Sequence, residues 1–189
     1  MNIFDVHTVD SAQADAAEML GGVAKAYGFI PNLYGVFAES PSALKAYMAI
    51  GKIFDETSFS ATERQLIILA ASRYNECDYC MAAHTVVAGM QKVPTDVVEA
   101  IREDRPINDS RLEALRTFTT SVVEKRGWLA NEDVAAFLAA GFTRAQILEV
   151  ILGISFKTLS NYTNHIADTP VDAAFQAGAW TPVEKRRAG

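Results

Sequence analysis

Hydrophobic residues recur at intervals of three and four along most of the chain, which is the spacing of amphipathic helices. The longest predicted helix follows Thr143 and ends before Pro170. Its apolar positions form one predicted buried stripe: Ile147, Val150, Ile151, Ile154 and Leu159. No segment shows the period-two alternation of a strand bounded by turns. The pattern therefore predicts an all-α protein.

Capping residues and glycines divide this pattern into separate helices. Ser60 and Glu63 have the spacing of a capping box, so a helix should begin there and continue to Tyr74. Asn75 is the expected left-handed end, and the next helix should run from near Cys77 to about Gly89. Other helices are expected over Asp10–Tyr27, from Pro31 through Phe37, from Ser40-Pro41 through Phe54, from Pro94 through Ile101, after a cap at Asp109 or Ser110, and after a cap at Asn131.

Length and composition indicate one globular unit. The chain has 189 residues, of which 50% are hydrophobic and 21% charged. Domains hold roughly 100–200 residues, and this composition excludes a globally disordered chain. We expect a single domain over residues 1–189, with frayed termini at 1–10 and 183–189.

The charge balance excludes several classes of partner. Seventeen basic and twenty-three acidic residues give a net charge of −6, so there is no basic surplus for binding nucleic acid or an anionic membrane. The longest useful apolar run, Leu66–Ala71, is far shorter than the roughly 20 residues of a membrane span. No positively charged N-terminal signal is visible, since the first basic residue is Lys25. We therefore expect a soluble cytoplasmic protein.

The chemistry is concentrated at the two cysteines of the chain, which lie together in Cys77-Asp78-Tyr79-Cys80. On a helix, these cysteines and His84 share one face. The start of a helix favours a thiolate, and two thiols at this spacing can form a disulfide. Acidic neighbours flank Cys77, so the lower thiol pKa is expected at Cys80.

Inert packing and metal binding are the other interpretations of this pair. Having the only two cysteines at this spacing, with His84 on the same face, favours redox chemistry over packing. Structural zinc sites need four ligands, and only His7 and His165 remain as nitrogen donors. A c-type haem site needs a histidine where Met81 stands. We therefore expect no metal and no cofactor.

The segment Ser60–His84 resembles the AhpD-like / carboxymuconolactone decarboxylase family, and most closely its peroxidase-related, alkylhydroperoxidase branch. The resemblance extends from about Tyr27 to Asp172. Three flanking segments are also typical of that branch: Gly28–Leu33, Ser40–Leu44 and Asn161–Ala167.

This resemblance implies an AhpD-like helical bundle, assembled as a homo-oligomer, with the cysteine pair at a helix N-terminus. It also implies a mechanism for reducing a hydroperoxide. Cys80 is then the peroxidatic cysteine, Cys77 resolves its sulfenic acid to a disulfide, and His84 moves protons. A separate thiol reductant protein reopens the disulfide. Decarboxylase members of the family generally lack the cysteine pair.

One position departs from the family pattern. The alkylhydroperoxidase branch has a glutamate in its proton relay where this chain has Gln65. Because glutamine does not accept a proton at neutral pH, turnover should be weak unless another base serves. If the relay interpretation holds, Gln65→Glu should raise the rate. Glu63 lies on the opposite side of the helix and is interpreted as a capping residue, and Tyr79 as a packing residue.

Three other functions remain open. The pair could act as a non-catalytic redox sensor or interaction module, or it could exchange disulfides with a partner protein. Lactone decarboxylation is a distant third. Elsewhere, His165 is expected to be a helix-end cation or interface residue, and His7 an exposed terminal residue. Trp128 and Trp180 are expected to be packing anchors.

Overall fold

The computed structural model describes residues 3–182, and within that range the chain is helical and contains no strand. The predicted all-α class is confirmed. The α-helices are α1 (Ala14–Tyr27), α2 (Asn32–Phe37), α3 (Pro41–Asp55), α4 (Ala61–Tyr74), α5 (Asp78–Met90), α6 (Thr95–Arg102), α7 (Ser110–Glu124), α8 (Asn131–Ala139) and α9 (Arg144–Ala167). A 3-10 helix follows over Ala173–Gly178. The segment 183–189, predicted to fray, lies outside the described residues.

Helix α4 is the centre of the bundle. Every residue from Leu66 to Ser72 is buried, so this helix has no solvent-facing side over two turns. It packs against α5, α7 and α9. Helix α5, which carries the cysteine pair, and helix α9 are therefore both packed against α4. Between residues 3 and 182, no single helix is long and apolar enough to span a membrane; only α8 and α9 together, with a 110° bend, meet those criteria.

The connection from α4 to α5 places the cysteines. The predicted capping box is present, since Ser60 N–H donates to Glu63 Oε2 at 2.8 Å and Glu63 N–H donates to Ser60 Oγ at 3.3 Å. The expected left-handed end at Asn75 is wrong by one residue. Asn75 keeps a φ of −76° and its side-chain amide donates to Asn161, whereas Glu76 takes the left-handed φ of 54°. Cys77 follows directly as the N-cap of α5.

The buried face of α9 differs from the predicted stripe. Val150 is buried, but Ile151 is 44% exposed, and the remaining stripe residues lie at the edges of the core. The buried face is instead formed by Gln146, Val150, Gly153, Phe156, Lys157, Ser160, Asn161, Asn164 and Ala167. A stripe chosen from apolar residues alone misses this face, because its C-terminal half is polar.

The segment after α9 folds back over α5, which the sequence did not predict. Residues 169–182, termed the C-terminal strap, contain the 3-10 helix. The Arg102 guanidinium donates to the carbonyl oxygens of Gly178 (3.0 Å) and Ala179 (2.9 Å), and the Trp180 indole donates to the Arg102 carbonyl at 3.0 Å. Trp180 is thus the predicted packing anchor. Trp128 is 88% exposed, so the same prediction is wrong for it.

The N-terminal segment is attached to α2 at His7. The His7 N–H donates to the Gly35 carbonyl at 3.2 Å, and its ring Nε2 lies 2.7 Å from Glu39. A side chain at Gly35 would collide with the His7 backbone, so glycine permits this close approach. The prediction of an exposed His7 is therefore wrong, because its side chain is half-buried and paired with Glu39.

Candidate active site

The two cysteines converge as predicted. Cys77 is the N-cap of α5 and Cys80 is in its first turn. Both are buried free thiols, and a single side-chain amide reaches both sulfur atoms. Asn164 Nδ2 lies 3.3 Å from Cys80 Sγ and 3.6 Å from Cys77 Sγ. Helix α9 therefore contacts both sulfur atoms through Asn164.

Cys80 is the thiol that ionises readily. Burial opposes ionisation, but hydrogen bonding from Cys77, the charge of Lys157 and hydrogen bonds from Ser160 and Asn161 outweigh it. Together they lower the pKa of the Cys80 thiol to about 5. Ser160 Oγ lies 3.7 Å from Cys80 Sγ. At neutral pH this site therefore holds a thiolate, which is the nucleophilic form of cysteine.

Cys77 behaves in the opposite way. Its hydrogen bond to Cys80, followed by burial and the negative charge of Cys80, raises the pKa of the Cys77 thiol above its ordinary value. The pair is thus one thiolate and one thiol at neutral pH. The sequence predicted this order from the acidic neighbours of Cys77. In the structure the cause is the contact between the two sulfur atoms, together with burial.

Neither ring nitrogen of His84 is bonded to a sulfur atom. Its Nδ1 lies 3.1 Å from Gln65 Oε1 and its Nε2 lies 3.1 Å from Lys157 Nζ, so both ring nitrogens have other partners. Burial and then the charge of Lys157 hold the pKa of His84 well below its usual range. The ring is therefore neutral at pH 7. The ring lines the same cavity as Cys80, but the predicted direct exchange of a proton between imidazole and thiol is not supported, because His84 Nε2 is bonded to Lys157.

Lys157 is a residue of this site that the sequence did not indicate. It is fully buried, and its Nζ faces His84 Nε2 in the cavity that also contains Cys80. The helical spacing of α9 places Lys157 on its buried face. Positions 157, 160, 161 and 164 continue the spacing of Val150 and Gly153, so a lysine falls on the buried face of α9.

Gln65 occupies the position expected from the family pattern. Its side chain is buried, accepts from His84 Nδ1 and donates from Nε2 to Gln91 Oε1 at 3.2 Å. Glu63, by contrast, completes the capping box and pairs with Arg111, as its capping interpretation predicted. Gln65 therefore contacts the site and Glu63 does not.

Tyr79 packs in the core and also connects two parts of the chain. Its hydroxyl donates to Asp172 Oδ2 at 2.6 Å and accepts from the Leu33 N–H at 3.3 Å. The same carboxylate accepts from the Asn32 N–H at 3.0 Å. Tyr79 thus joins α5, the start of α2 and the C-terminal strap.

An apolar cavity of about 100 Å³ lies against Cys80. Cys80, His84 and Lys157 form its polar end, and Phe175 of the strap forms part of its wall. The rest of the lining is aromatic and aliphatic: Tyr27, Pro31, Leu33, Tyr34, Tyr47, Tyr79, Ala83, Val87 and Phe156. A second cavity of about 410 Å³ is also lined by His84, together with Gln65 and Gln91. The cavity at Cys80 is suited to a small apolar molecule with one reactive polar end.

Residues 41–119 match the carboxymuconolactone decarboxylase family. Over these residues the chain is similar to members of that family, and its fold is AhpD-like. A comparison with curated proteins finds no match.

Solved structures share this AhpD-like fold over most of their length. A peroxidase-related protein with the alkylhydroperoxidase AhpD core, from Ralstonia eutropha JMP134, has a TM-score of 0.80 at 21% identity, covering 91% of this chain and 93% of that one. A peroxidase-related protein from Silicibacter sp. TM1040 has a TM-score of 0.79 at 18% identity, covering 92% and 93%. The debrominase Bmp8, solved as a variant with 2,3,4-tribromopyrrole, has a TM-score of 0.77 at 17% identity, covering 94% and 95%.

The residues that match the family include only part of the site. Cys77, Cys80, His84 and Gln65 lie within residues 41–119. Lys157 and the C-terminal strap lie beyond them. His165, also outside, is exposed and stacks on Tyr162 with 6.5 Å between ring centroids. Among residues 3–182, no group of three or more His, Cys, Asp or Glu side chains could hold a metal ion.

Proposed function

We propose that this protein reduces hydroperoxides through the Cys77–Cys80 pair. The observation that carries the proposal is a Cys80 thiol with a pKa of about 5 at the polar end of an apolar cavity, in contact with a second thiol. The thiolate supplies the nucleophile and the cavity accepts the organic group. The neighbouring thiol allows the first oxidation product to be converted to a disulfide.

The chemistry balances without a cofactor. The Cys80 thiolate attacks the terminal oxygen of the hydroperoxide, the O–O bond breaks, and an alkoxide leaves and takes a proton to become an alcohol. Cys80 is then a sulfenic acid. The Cys77 sulfur displaces its hydroxyl as water and forms the disulfide. A dithiol donor, which we propose to be a thiol reductant protein of the cytoplasm, returns two electrons.

We also propose that the protein acts as a homo-oligomer. The outward face of α9 exposes apolar side chains along its length: Leu148, Ile151, Tyr162 and Ile166. An unpaired apolar face of this extent is typical of an interface between subunits. Sedimentation equilibrium would identify the assembly, and Ile151→Lys should weaken it.

The direct test is to count thiols and products after adding one equivalent of cumene hydroperoxide to the reduced protein. We expect one equivalent of cumyl alcohol and loss of both thiols, reversed by a dithiol. A disulfide that no dithiol reduces would favour a redox sensor. Thiols that survive hydroperoxide but react with a protein disulfide would favour disulfide exchange.

The pH dependence gives a first prediction. Because the pKa of Cys80 is lowered to about 5, its reactive form is lost only as the pH falls through about 5. We expect the rate of Cys80 oxidation to rise between pH 4 and 6 and to be level from pH 6 to 8, in stopped-flow measurements with cumene hydroperoxide. A rate that keeps rising to pH 9, as for an ordinary thiol, would contradict the lowered pKa.

A second candidate function is reductive dehalogenation of an aromatic ring. The aromatic cavity wall can stack on a planar substrate, and a debrominase shares the fold. The thiolate would take the halogen from carbon, the carbon would take a proton, and Cys77 would displace halide to give the same disulfide. Bromide release from 2,3,4-tribromopyrrole by the reduced protein would support it. Oxidation by cumene hydroperoxide without bromide release would favour the peroxidase proposal.

A further inference from the structure

We propose that Lys157 is the group that protonates the departing alkoxide, and that His84 and Gln65 are positioning residues that hold Lys157 in place. This inference rests on the proposed peroxide chemistry. It changes the proton donor from the histidine that the sequence indicated to a lysine on a different helix.

The placement of Lys157 carries the argument. Its side chain is fully buried on α9 and lines the cavity together with Cys80. A buried ammonium needs compensating partners. His84 Nε2 accepts from it at 3.1 Å, and its charge also favours the Cys80 thiolate. The cavity therefore contains a proton-bearing cation next to the nucleophile.

The hydrogen bonds around His84 set its protonation state. Because Nε2 accepts from the Lys157 ammonium, the ring proton must be on Nδ1, which donates to Gln65 Oε1. Gln65 in turn donates to Gln91. A neutral amide fixes this tautomer but does not carry protons onward. At neutral pH the only ring proton of His84 is therefore bonded to Gln65, and Nε2 has none to give to the alkoxide, whereas the Lys157 ammonium has one.

The proton balance closes over a full cycle. Lys157 gives one proton to the alkoxide and becomes a neutral amine. The proton of the Cys77 thiol leaves with the sulfenic hydroxyl as water when the disulfide forms. Reduction of the disulfide by a dithiol returns Cys77 as a thiol and Cys80 as a thiolate, which releases one proton. That proton recharges Lys157, so no separate relay to solvent is required.

The test compares two oxidants that differ in their need for a proton. Cumene hydroperoxide leaves as a basic alkoxide, whereas peracetic acid leaves as acetate, which needs no proton donor. We expect Lys157→Met to lower the ratio of their rate constants, cumene hydroperoxide over peracetic acid, about 100-fold, the usual scale of general acid catalysis. The thiolate fraction affects both rates equally and cancels in the ratio. An unchanged ratio would overturn the proposal and leave Lys157 as a counter-ion only.

Lys157→Arg provides the conservative comparison. Arginine keeps the positive charge but does not release its proton at these pH values. We expect this variant to keep the Cys80 thiolate, measured by absorbance at 240 nm in a Cys77→Ser background, and still to show the lowered ratio. A ratio restored to the wild-type value would contradict proton donation. Lys45→Met on the exposed side of α3 is the matched control and should leave the ratio unchanged. Circular dichroism verifies that each variant is folded.

Gln65→Glu separates this proposal from a conventional relay. A carboxylate at position 65 would favour a second proton on His84, and the imidazolium could no longer accept from Lys157. We expect the cumene hydroperoxide rate to fall, whereas a relay through position 65 requires it to rise. A rise would overturn the positioning roles. If wild type consumed neither oxidant, the peroxidase proposal itself would fail, which is distinct from an unchanged ratio in an active enzyme.

Discussion

Replacement of Cys80 by serine is expected to reduce hydroperoxide consumption to the uncatalysed level, whereas replacement of Cys77 by serine should permit one turnover and then stop. Cys80 is the ionised sulfur at the cavity, and a serine hydroxyl there stays protonated at neutral pH. Without Cys77, the Cys80 sulfenic acid has no neighbouring thiol to form the disulfide. The two variants thus separate the nucleophile from the resolving residue.

Single-turnover measurements distinguish these outcomes. In Cys77→Ser, one equivalent of cumyl alcohol should form, and dimedone should label one sulfur, identified as Cys80 by peptide mass spectrometry. In Cys80→Ser, no alcohol should form and Cys77 should remain reduced, because burial still opposes the ionisation of its thiol. Labelling of Cys77 in the Cys80→Ser variant at a rate close to that of wild type would assign the roles in the opposite order.

Gly178→Ala is expected to lower the stability of the protein strongly. A methyl group at Gly178 would collide with the carbonyl oxygen of Ala82 in α5, which is backbone and cannot rotate away. Overpacking of this kind costs about 1–3 kcal/mol of the free energy of unfolding. Because Arg102 binds the Gly178 carbonyl, the collision should displace the C-terminal strap, and Phe175 with it, from the wall of the cavity.

Gly89→Ala is the matched control within the same pair of elements. Gly89 lies in α5, and a methyl group there meets no atom within 4 Å. Alanine should therefore stabilise the protein by about 0.5–1 kcal/mol through helix propensity. Urea unfolding measures both free energies, and the alkylation rate of Cys80 reports whether the cavity has opened. Equal stability of the two variants would show that the strap is not fixed against α5.

Local sequence signals predicted the helices well wherever neighbouring residues decide the structure. The Ser60–Glu63 capping box formed as its spacing indicated, and Cys77 and Cys80 lie at the start of a helix with their sulfurs together. These features depend on residues three or four apart. The prediction of a left-handed helix end at Asn75 was wrong. The Asn75 side chain is held by a contact across the fold, with Asn161.

The sequence by itself determined the all-α class, the position of the cysteine pair on α5 and the presence of His84 one turn later. Only the tertiary structure decided what surrounds them. It brought Lys157 and Asn164, more than 70 residues away along the chain, against His84 and the two sulfurs, and it laid the strap over α5. Helical periodicity reports which residues share a face. It does not report which helix faces pack against each other. The pKa of Cys80 depends on the packing of α5 against α9.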